Sequence, residues 1–268
     1  MNEENESIND QAGEEWQPPA PPEAKEKEQP QMSEVGTLAN IFIEPGNTFK
    51  DLLRKPRFLL AGLVIVLAVT AFNVLTTERL GIENIARDRI ESSSQADQMT
   101  KEQKDTAVAQ QSSDLVKGIT YGFIPIGVII SMLLGGLIYW LGANAFGGSI
   151  GFLHGLSVWV YSSLLPTLLF VIGNLLILFL KPIEDIAPGA AQRGLLQVNP
   201  SMFVDGKEMP VLSAFLSGFD VFAIFGYILA TIGLKTVAKL STGSALVIVL
   251  IPALIGLTVR VVAAMLFS

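Results

Sequence analysis

The longest charge-free stretch of this chain covers residues 118–180, which include no Asp, Glu, Lys or Arg. A bilayer core about 30 Å thick is crossed by roughly 20 apolar residues in a helix that rises about 1.5 Å per residue. The stretch is therefore long enough for two membrane spans. Its strongest break is the sequence Gly-Gly-Ser at 147–149, close to Asn144, which is typical of a tight turn.

Three further apolar stretches follow the same pattern, at 58–77, 211–234 and 240–268, with few or no charged residues in each. Prolines at 125, 166 and 252 fall inside apolar stretches, where proline usually kinks a membrane helix and does not end it. The sequence therefore predicts an all-α fold, a multi-pass transmembrane helical bundle with five spans. The predicted spans are 58–77, 119–142, 152–180, 211–234 and 244–267, within a membrane domain over 58–268.

The acidic charge of the chain is concentrated at its N-terminus. The formal net charge is −7 at pH 7, and residues 1–34 alone hold ten acids against two bases. This segment is rich in proline and has too little apolar surface to offset the entropy of ordering, so we predict a disordered acidic tail over 1–34. No basic patch with interleaved aromatic residues occurs, which argues against nucleic acid as a partner.

Residues 35–57 are predicted to form a juxtamembrane amphipathic segment. Apolar residues recur at helical spacing in two pieces, separated by the sequence Glu-Pro-Gly-Asn at 44–47. Thr48 is predicted to cap the second piece, with Asp51 at its N3 position. A basic amphipathic helix before a span is expected to lie among lipid headgroups, and Pro56 suits the first turn of span one. The bases that oppose the apolar stripe are Lys50, Arg54, Lys55 and Arg57.

The loops predict an orientation for the bundle. The four bases before span one are dense, and the turn between spans four and five adds Lys235 and Lys239 without an acid. The two longer loops, 78–117 and 181–210, are net acidic, although they carry nine bases between them. The positive-inside rule therefore favours a cytoplasmic N-terminus and, after five spans, an outside C-terminus. The first longer loop, 78–117, is predicted to be a water-facing helical hairpin, with Thr100 and Gln103 in a capping box.

Two charged residues are predicted to lie inside the membrane, Asp220 on span four and Arg260 on span five. At about 1.5 Å per residue, their offsets from the span ends correspond to depths of about 13 and 10 Å. Each charge alone costs roughly 2.5–3.5 kcal/mol at a helix centre, and a hydrogen-bonded pair relieves much of this cost. We predict that they pair, or share a polar cluster with Asn73 or Asn174. A snorkelling Arg260 and a proton or solute pathway are the alternatives.

No catalytic, cofactor or metal site is predicted. The sequence at 147–151 matches the G-x-S-x-G pattern of serine hydrolases, but it lies in a turn between spans with no acid nearby to complete a triad. Asp220 as the only membrane acid cannot supply the carboxylate pair of an aspartyl protease. His154 is the only histidine and cysteine is absent, so no histidine- or thiolate-based metal cluster is available. We predict that His154 is a hydrogen-bonded structural group and that the chain is not an enzyme.

Several short motifs, in order along the chain, carry a resemblance to a known family. They are Phe-Ile-Glu-Pro at 42–45, Thr-Phe at 48–49, Lys-Pro-Arg-Phe-Leu at 55–59, Tyr-Ser-Ser-Leu-Leu-Pro at 161–166, and Phe-Asp-Val-Phe at 219–222 leading to Gly-Leu at 233–234. The region 35–268 resembles the Yip family, five-span membrane proteins first named as interactors of Ypt/Rab GTPases. The motif residues singled out as structural are Glu44, Pro45, Thr48, Phe49, Lys55, Pro56, Tyr161, Pro166 and Asp220.

The resemblance implies a five-span bundle with a cytoplasmic N-terminal region, no catalytic residues and, in eukaryotic relatives, roles in membrane trafficking and shaping. We expect a bacterial-type member, in a bacterial cytoplasmic membrane, with a small GTPase as partner only if a eukaryotic-type role applies. The expected partners are the lipid bilayer, further copies in a homo-oligomer, or other membrane proteins. The expected function is membrane-organising or scaffolding. The alternative is a transporter or channel for a small solute or ion, with Asp220 and Arg260 lining the route.

Overall fold

A computed structural model describes residues 29–93, 96–187, 194–206 and 208–267. Over these ranges it contains helices and no strand, and five helical segments are long and apolar enough to cross a membrane. The five-span, all-α fold is thereby confirmed. In chain order the α-helices are α1 (Glu34–Asn40), α2 (Pro45–Arg54), α3 (Leu59–Leu80), α4 (Ile82–Glu91), α5 (Lys101–Gln111), α6 (Asp114–Ala145), α7 (Phe152–Leu180), α8 (Pro210–Leu216), α9 (Val221–Val237) and α10 (Thr242–Phe267).

The spans alternate in direction, which gives the bundle two different ends. One end, the N-terminal face, holds α1, α2 and the turns at 146–151 and 238–241. The other end, the loop face, holds α4, α5 and the long connection after α7. A hydrogen bond from Arg79 Nη2 to the Lys181 carbonyl oxygen (3.3 Å) joins α3 and α7 at the loop face.

The helix α7 lies at the centre of the bundle and packs against α3, α6 and α9. Its contact with α6 is close because both helices have small residues there. A Cβ atom added to Gly136 would lie 2.8 Å from the Leu156 Cα atom, and one added to Gly155 would lie 2.8 Å from the Gly136 carbonyl oxygen. Between membrane helices, close backbone approach of this kind supplies packing energy that apolar burial does not.

Span four is interrupted. The sequence predicts one helix over 211–234, whereas the structure has α8, four non-helical residues at 217–220, and then α9. Asp220 is the N-cap of α9 and accepts hydrogen bonds from the backbone N–H groups of Phe222 (2.9 Å) and Ala223 (3.1 Å). The interruption occurs because Asp220 satisfies the N–H groups that begin a new helix.

The hairpin of α4 and α5 stands on the loop face, as predicted from its polar sequence. Ala86, Ile90 and Val108 form a small core between the two helices. Arg87 Nη1 lies 3.1 Å from Asp105 Oδ1 across them, and this hydrogen bond holds the pKa of Arg87 above its usual value. The predicted capping box of Thr100 and Gln103 is present at the start of α5.

Most of the acidic tail lies outside the described residues, which begin at 29. The predicted boundary at residue 34 is nevertheless too late. The backbone N–H groups of Gln31 and Met32 are hydrogen bonded to α2, and α1 begins at Glu34 with Ser33 as its N-cap. The folded part of the chain therefore includes residues 31–34.

Candidate functional site

Residues 31–57, which we call the N-terminal layer, cover part of the N-terminal face. Their central helix α2 begins one turn earlier than predicted. Glu44 is the N-cap and Pro45 occupies the first helical turn, where its fixed φ angle favours the helix. The prediction of Thr48 as N-cap is wrong, because Thr48 is fully buried inside α2 and its hydroxyl accepts a hydrogen bond from Asn40 Nδ2 (3.2 Å).

The apolar side of α2 packs into the helical bundle. The sequence had predicted that this helix lies among lipid headgroups. Phe49 and Leu52 are fully buried in the main core, together with Leu234 on α9. The seat for Phe49 exists because residue 233 is glycine: an added Cβ would lie 2.8 Å from Phe49 Cε1 and 2.7 Å from Val158 Cγ1. Helices α2, α7 and α9 therefore meet at one point below the N-terminal face.

A buried ion pair lies inside the N-terminal layer, between Asp51 and Arg57. The Asp51 Oδ2 atom lies 3.3 Å from Arg57 Nη1, and the side chains are 1% and 7% exposed. Asp51 Oδ1 accepts the backbone N–H groups of Gln31 (2.6 Å) and Met32 (3.3 Å), and Arg57 Nη1 donates to the Thr37 hydroxyl (2.6 Å). The predictions of Asp51 as a capping-box residue and of Arg57 on the basic outer side are therefore wrong.

His154 joins the N-terminal layer to the first turn of α7. Its Nε2 atom lies 3.2 Å from the carbonyl oxygen of Leu53, in the last turn of α2. Carbonyl groups of a last helical turn have no partner within their own helix, so this contact satisfies one of them. His154 is thus a hydrogen-bonded structural group, as predicted.

The outer side of the N-terminal layer combines apolar and basic residues. Ile43 is 77% exposed at the turn between α1 and α2, and Val35 is 66% exposed on α1. Lys50, whose ammonium group donates to Asn47 Oδ1 (3.2 Å), is exposed on α2. We use the name outer surface for the exposed residues Val35, Phe42, Ile43, Glu44, Asn47, Lys50 and Lys55.

The structure shows where three of the motif residues lie. Tyr161 is buried in the main core, and Pro166 lies inside α7, 3.4 Å from the position of a Cβ added to Gly226. Pro56 lies in the connection between α2 and α3, three residues before α3 begins, and not in the first turn of that span. Tyr161 and Pro166 thus contribute to helix packing.

Asp220 and Arg260 lie at similar heights but are not joined in the structure. Asp220 precedes the 17 residues of α9, about 26 Å along the helix from the N-terminal face, and Arg260 follows Thr242 by about 27 Å on α10 at about 1.5 Å per residue. Among the described residues, no ion pair within 4 Å connects them. Asn73 and Asn174 are bonded elsewhere, to Val69 and to Phe170 and Leu196. The charge pair stays a prediction.

A cavity of about 760 Å³ lies between α3, α6 and α7, at the depth of the membrane. It forms where α6 diverges from α7, and Gly127 borders it with no other group within 4 Å of an added Cβ. Its lining includes the hydroxyl-bearing residues Ser131, Ser163 and Thr167, and none of its lining residues is charged. The cavity includes neither Asp220 nor Arg260, and within the described residues no group of three metal ligands occurs.

The comparisons with known proteins identify the family. The family model of the Yip1 domain matches residues 39–263, which include the end of α1, all of α2 and the five spans up to residue 263 of α10. No curated protein and no solved structure matches the chain significantly. Because the family match covers most of the chain and the fold has five apolar spans, this integral, multi-pass membrane protein belongs to the Yip1 domain family.

Proposed function

We propose that this protein is a non-enzymatic scaffold of the membrane, and that it works through the outer surface of its N-terminal layer. The observation that carries this proposal is the anchoring of α2 by Phe49, by the buried ion pair and by His154. A surface element held at three points presents its exposed side chains in a fixed arrangement. Fixed, partly apolar surfaces of this kind are typical of protein–protein contact sites.

The chemistry of the outer surface indicates what it would contact. Phe42 and Ile43 are exposed apolar residues just before α2, and Lys50 and Lys55 are exposed further along it. Such a surface suits a membrane protein partner or a second copy of the chain, with anionic headgroups as a further contact for the lysines. Family membership supports a role in membrane organisation of the trafficking and shaping type. A small GTPase is the partner to expect only where a eukaryotic-type role applies.

The experiment is affinity capture of the full chain from its own membrane in a mild detergent. We expect the partners that copurify with the wild type to be lost from the double variant Ile43→Ser/Lys50→Glu, which changes only exposed side chains. The matched control is Leu115→Ser/Lys101→Glu, which alters exposed residues at the loop face. An identical set of captured proteins from all three samples would contradict the proposed role of the outer surface.

A second candidate function, transport of a small solute or ion, is supported by one observation. Interrupted helices at membrane depth are a feature of many transporters, and span four is interrupted at Asp220. The uncharged cavity on the other side of α7 does not extend to this position, which favours the scaffold proposal. Asp220→Asn separates the two candidates, because asparagine caps a helix as well as aspartate but carries no charge. Loss of flux in proteoliposomes with this variant would support transport.

A further inference from the structure

The short helical turn Pro200–Phe203 and the helix α8 that follows it, at the start of span four, expose several large apolar side chains. Phe203 is 83% exposed and Met202 is 55% exposed, in the short helical turn Pro200–Phe203. Further exposed residues follow, Met209, Leu212, Phe215 and Phe219. Water-facing segments rarely present contiguous apolar surface of this extent, so these side chains need an apolar partner.

The height of the segment along the bundle can be read from its contacts with α10. A Cβ added to Gly218 would lie 2.6 Å from Leu257 Cδ1, and Val211 and Phe215 share a groove with Val261. Thr242 begins α10 at the N-terminal face, and Val261 lies about 29 Å further along this helix at about 1.5 Å per residue. This distance nearly equals the thickness of a bilayer core, about 30 Å. The helix α8 therefore lies at the boundary between hydrocarbon and headgroups on the loop face.

The chain that leads into this segment is held against the bundle and does not extend away from it. The Leu196 N–H donates to Asn174 Oδ1 (2.9 Å), and the Val198 carbonyl oxygen accepts the N–H of Val221 (3.2 Å). Asn199 Oδ1 then accepts the N–H of Ser201 (3.2 Å), which begins the turn that packs against α8. Non-helical backbone is tolerated at membrane depth when it is satisfied by protein groups in this way.

We propose that Met202 and Phe203, in the turn Pro200–Phe203, are seated in the acyl chains of the leaflet on the loop face and anchor the segment that leads into span four. The occupant of this surface is lipid, because the turn Pro200–Phe203 packs against α8, which is the first part of span four. Asp205 and Glu208 then lie at the level of the headgroups. The lipid-facing surface of span four is thus extended by the turn that precedes it, and this inference does not depend on the proposed scaffold function.

The test uses the absence of native cysteine. The full-length variants Phe203→Cys and Met202→Cys are labelled with the environment-sensitive dye NBD and reconstituted in vesicles that contain phosphatidylcholine with a nitroxide at an upper acyl-chain position. The matched control is Ser92→Cys, an exposed residue at the end of α4 on the same face. At positions 202 and 203 we expect strong quenching by the nitroxide lipid and little quenching by aqueous iodide. At position 92 we expect strong quenching by iodide and little by the nitroxide lipid.

Two results would overturn the proposal. Iodide quenching at 202 and 203 equal to that at 92 would mean that the segment faces water. Protection from both quenchers would mean that protein, such as a second copy, covers the surface. Both positions are labelled because one dye could disturb the local structure. The lipid contact is accepted only if positions 202 and 203 give the same result.

Discussion

At the scale of single residues, the main result is that two of the charges next to span one belong to the interior. Asp51 and Arg57 lie six positions apart, and in the sequence they resemble the polar side of an amphipathic helix. Their burial depends on residues 31–37, which fold back over α2 and supply the backbone and hydroxyl partners. This arrangement could not be predicted, because a residue pattern does not reveal which segment covers a helix. The start of α2 at Glu44-Pro45 was instead predicted one turn too late, at Thr48, although proline favours the first turn of a helix.

Asp51→Leu is expected to destabilise the protein strongly, because it leaves the Arg57 guanidinium buried without its counter-charge. Removal of one partner of a buried pair typically costs roughly 3–5 kcal/mol, whereas apolar replacement of both partners is often tolerated. We therefore expect a clear fall in the unfolding midpoint for Asp51→Leu and a smaller one for Asp51→Leu/Arg57→Leu. Thermal unfolding of the purified protein in one detergent measures both, with exposed Lys50→Leu as control. Equal midpoints for Asp51→Leu and Lys50→Leu would contradict this view of the pair.

At the scale of elements, the spans were predictable because exclusion of charge over about 20 residues is a property of local composition. The interruption of span four was not predicted, although Asp220 is a strong N-cap residue type and Gly218 lies just before it. Hydropathy averages over such a break, since the residues on both sides are apolar. The docking of α2 was missed for another reason: the apolar stripe was recognised, but its partner, the Gly233 face of α9, is distant in sequence.

Gly233→Ala is expected to loosen α2 without unfolding the spans. The new methyl group would lie within 3 Å of both Phe49 and Val158, and overpacking of this kind costs about 1–3 kcal/mol. The measurable result is faster hydrogen–deuterium exchange in the amides of residues 45–54. Gly256→Ala on α10 is the control, because nothing lies within 4 Å of its added Cβ. If both variants exchange at the wild-type rate, the close contact at Gly233 does not fix α2.

At the scale of the whole molecule, the two faces of the bundle differ in charge and in content. Within the described residues, the loop face carries the α4–α5 hairpin and most of the acids, while the N-terminal face carries the layer over α7 and α9. The number and order of the spans follow from the sequence, but their mutual packing does not, since it depends on glycine contacts such as Gly136 with Leu156. The orientation in the membrane remains the prediction made from the loop charges.

Single-cysteine labelling of intact cells tests this orientation. Ser149 lies exposed in the turn of the N-terminal face, and Ser92 lies exposed on the loop face. With a cytoplasmic N-terminus, a membrane-impermeant maleimide should label Ser92→Cys in intact cells and Ser149→Cys only after permeabilisation. The opposite pattern would reverse the bundle while leaving its fold unchanged.

The seat of Phe49 on Gly233 also constrains how the protein is made. About 180 residues separate these two positions, so a ribosome must synthesise and release four spans before the first helices of the chain can reach their final place. Until then α2 can pack against α1 and α7, but Phe49 lacks its contact with α9. Closure of the N-terminal layer is therefore a late event in biogenesis, and a chain truncated before span four would leave Phe49 without its contact at Gly233.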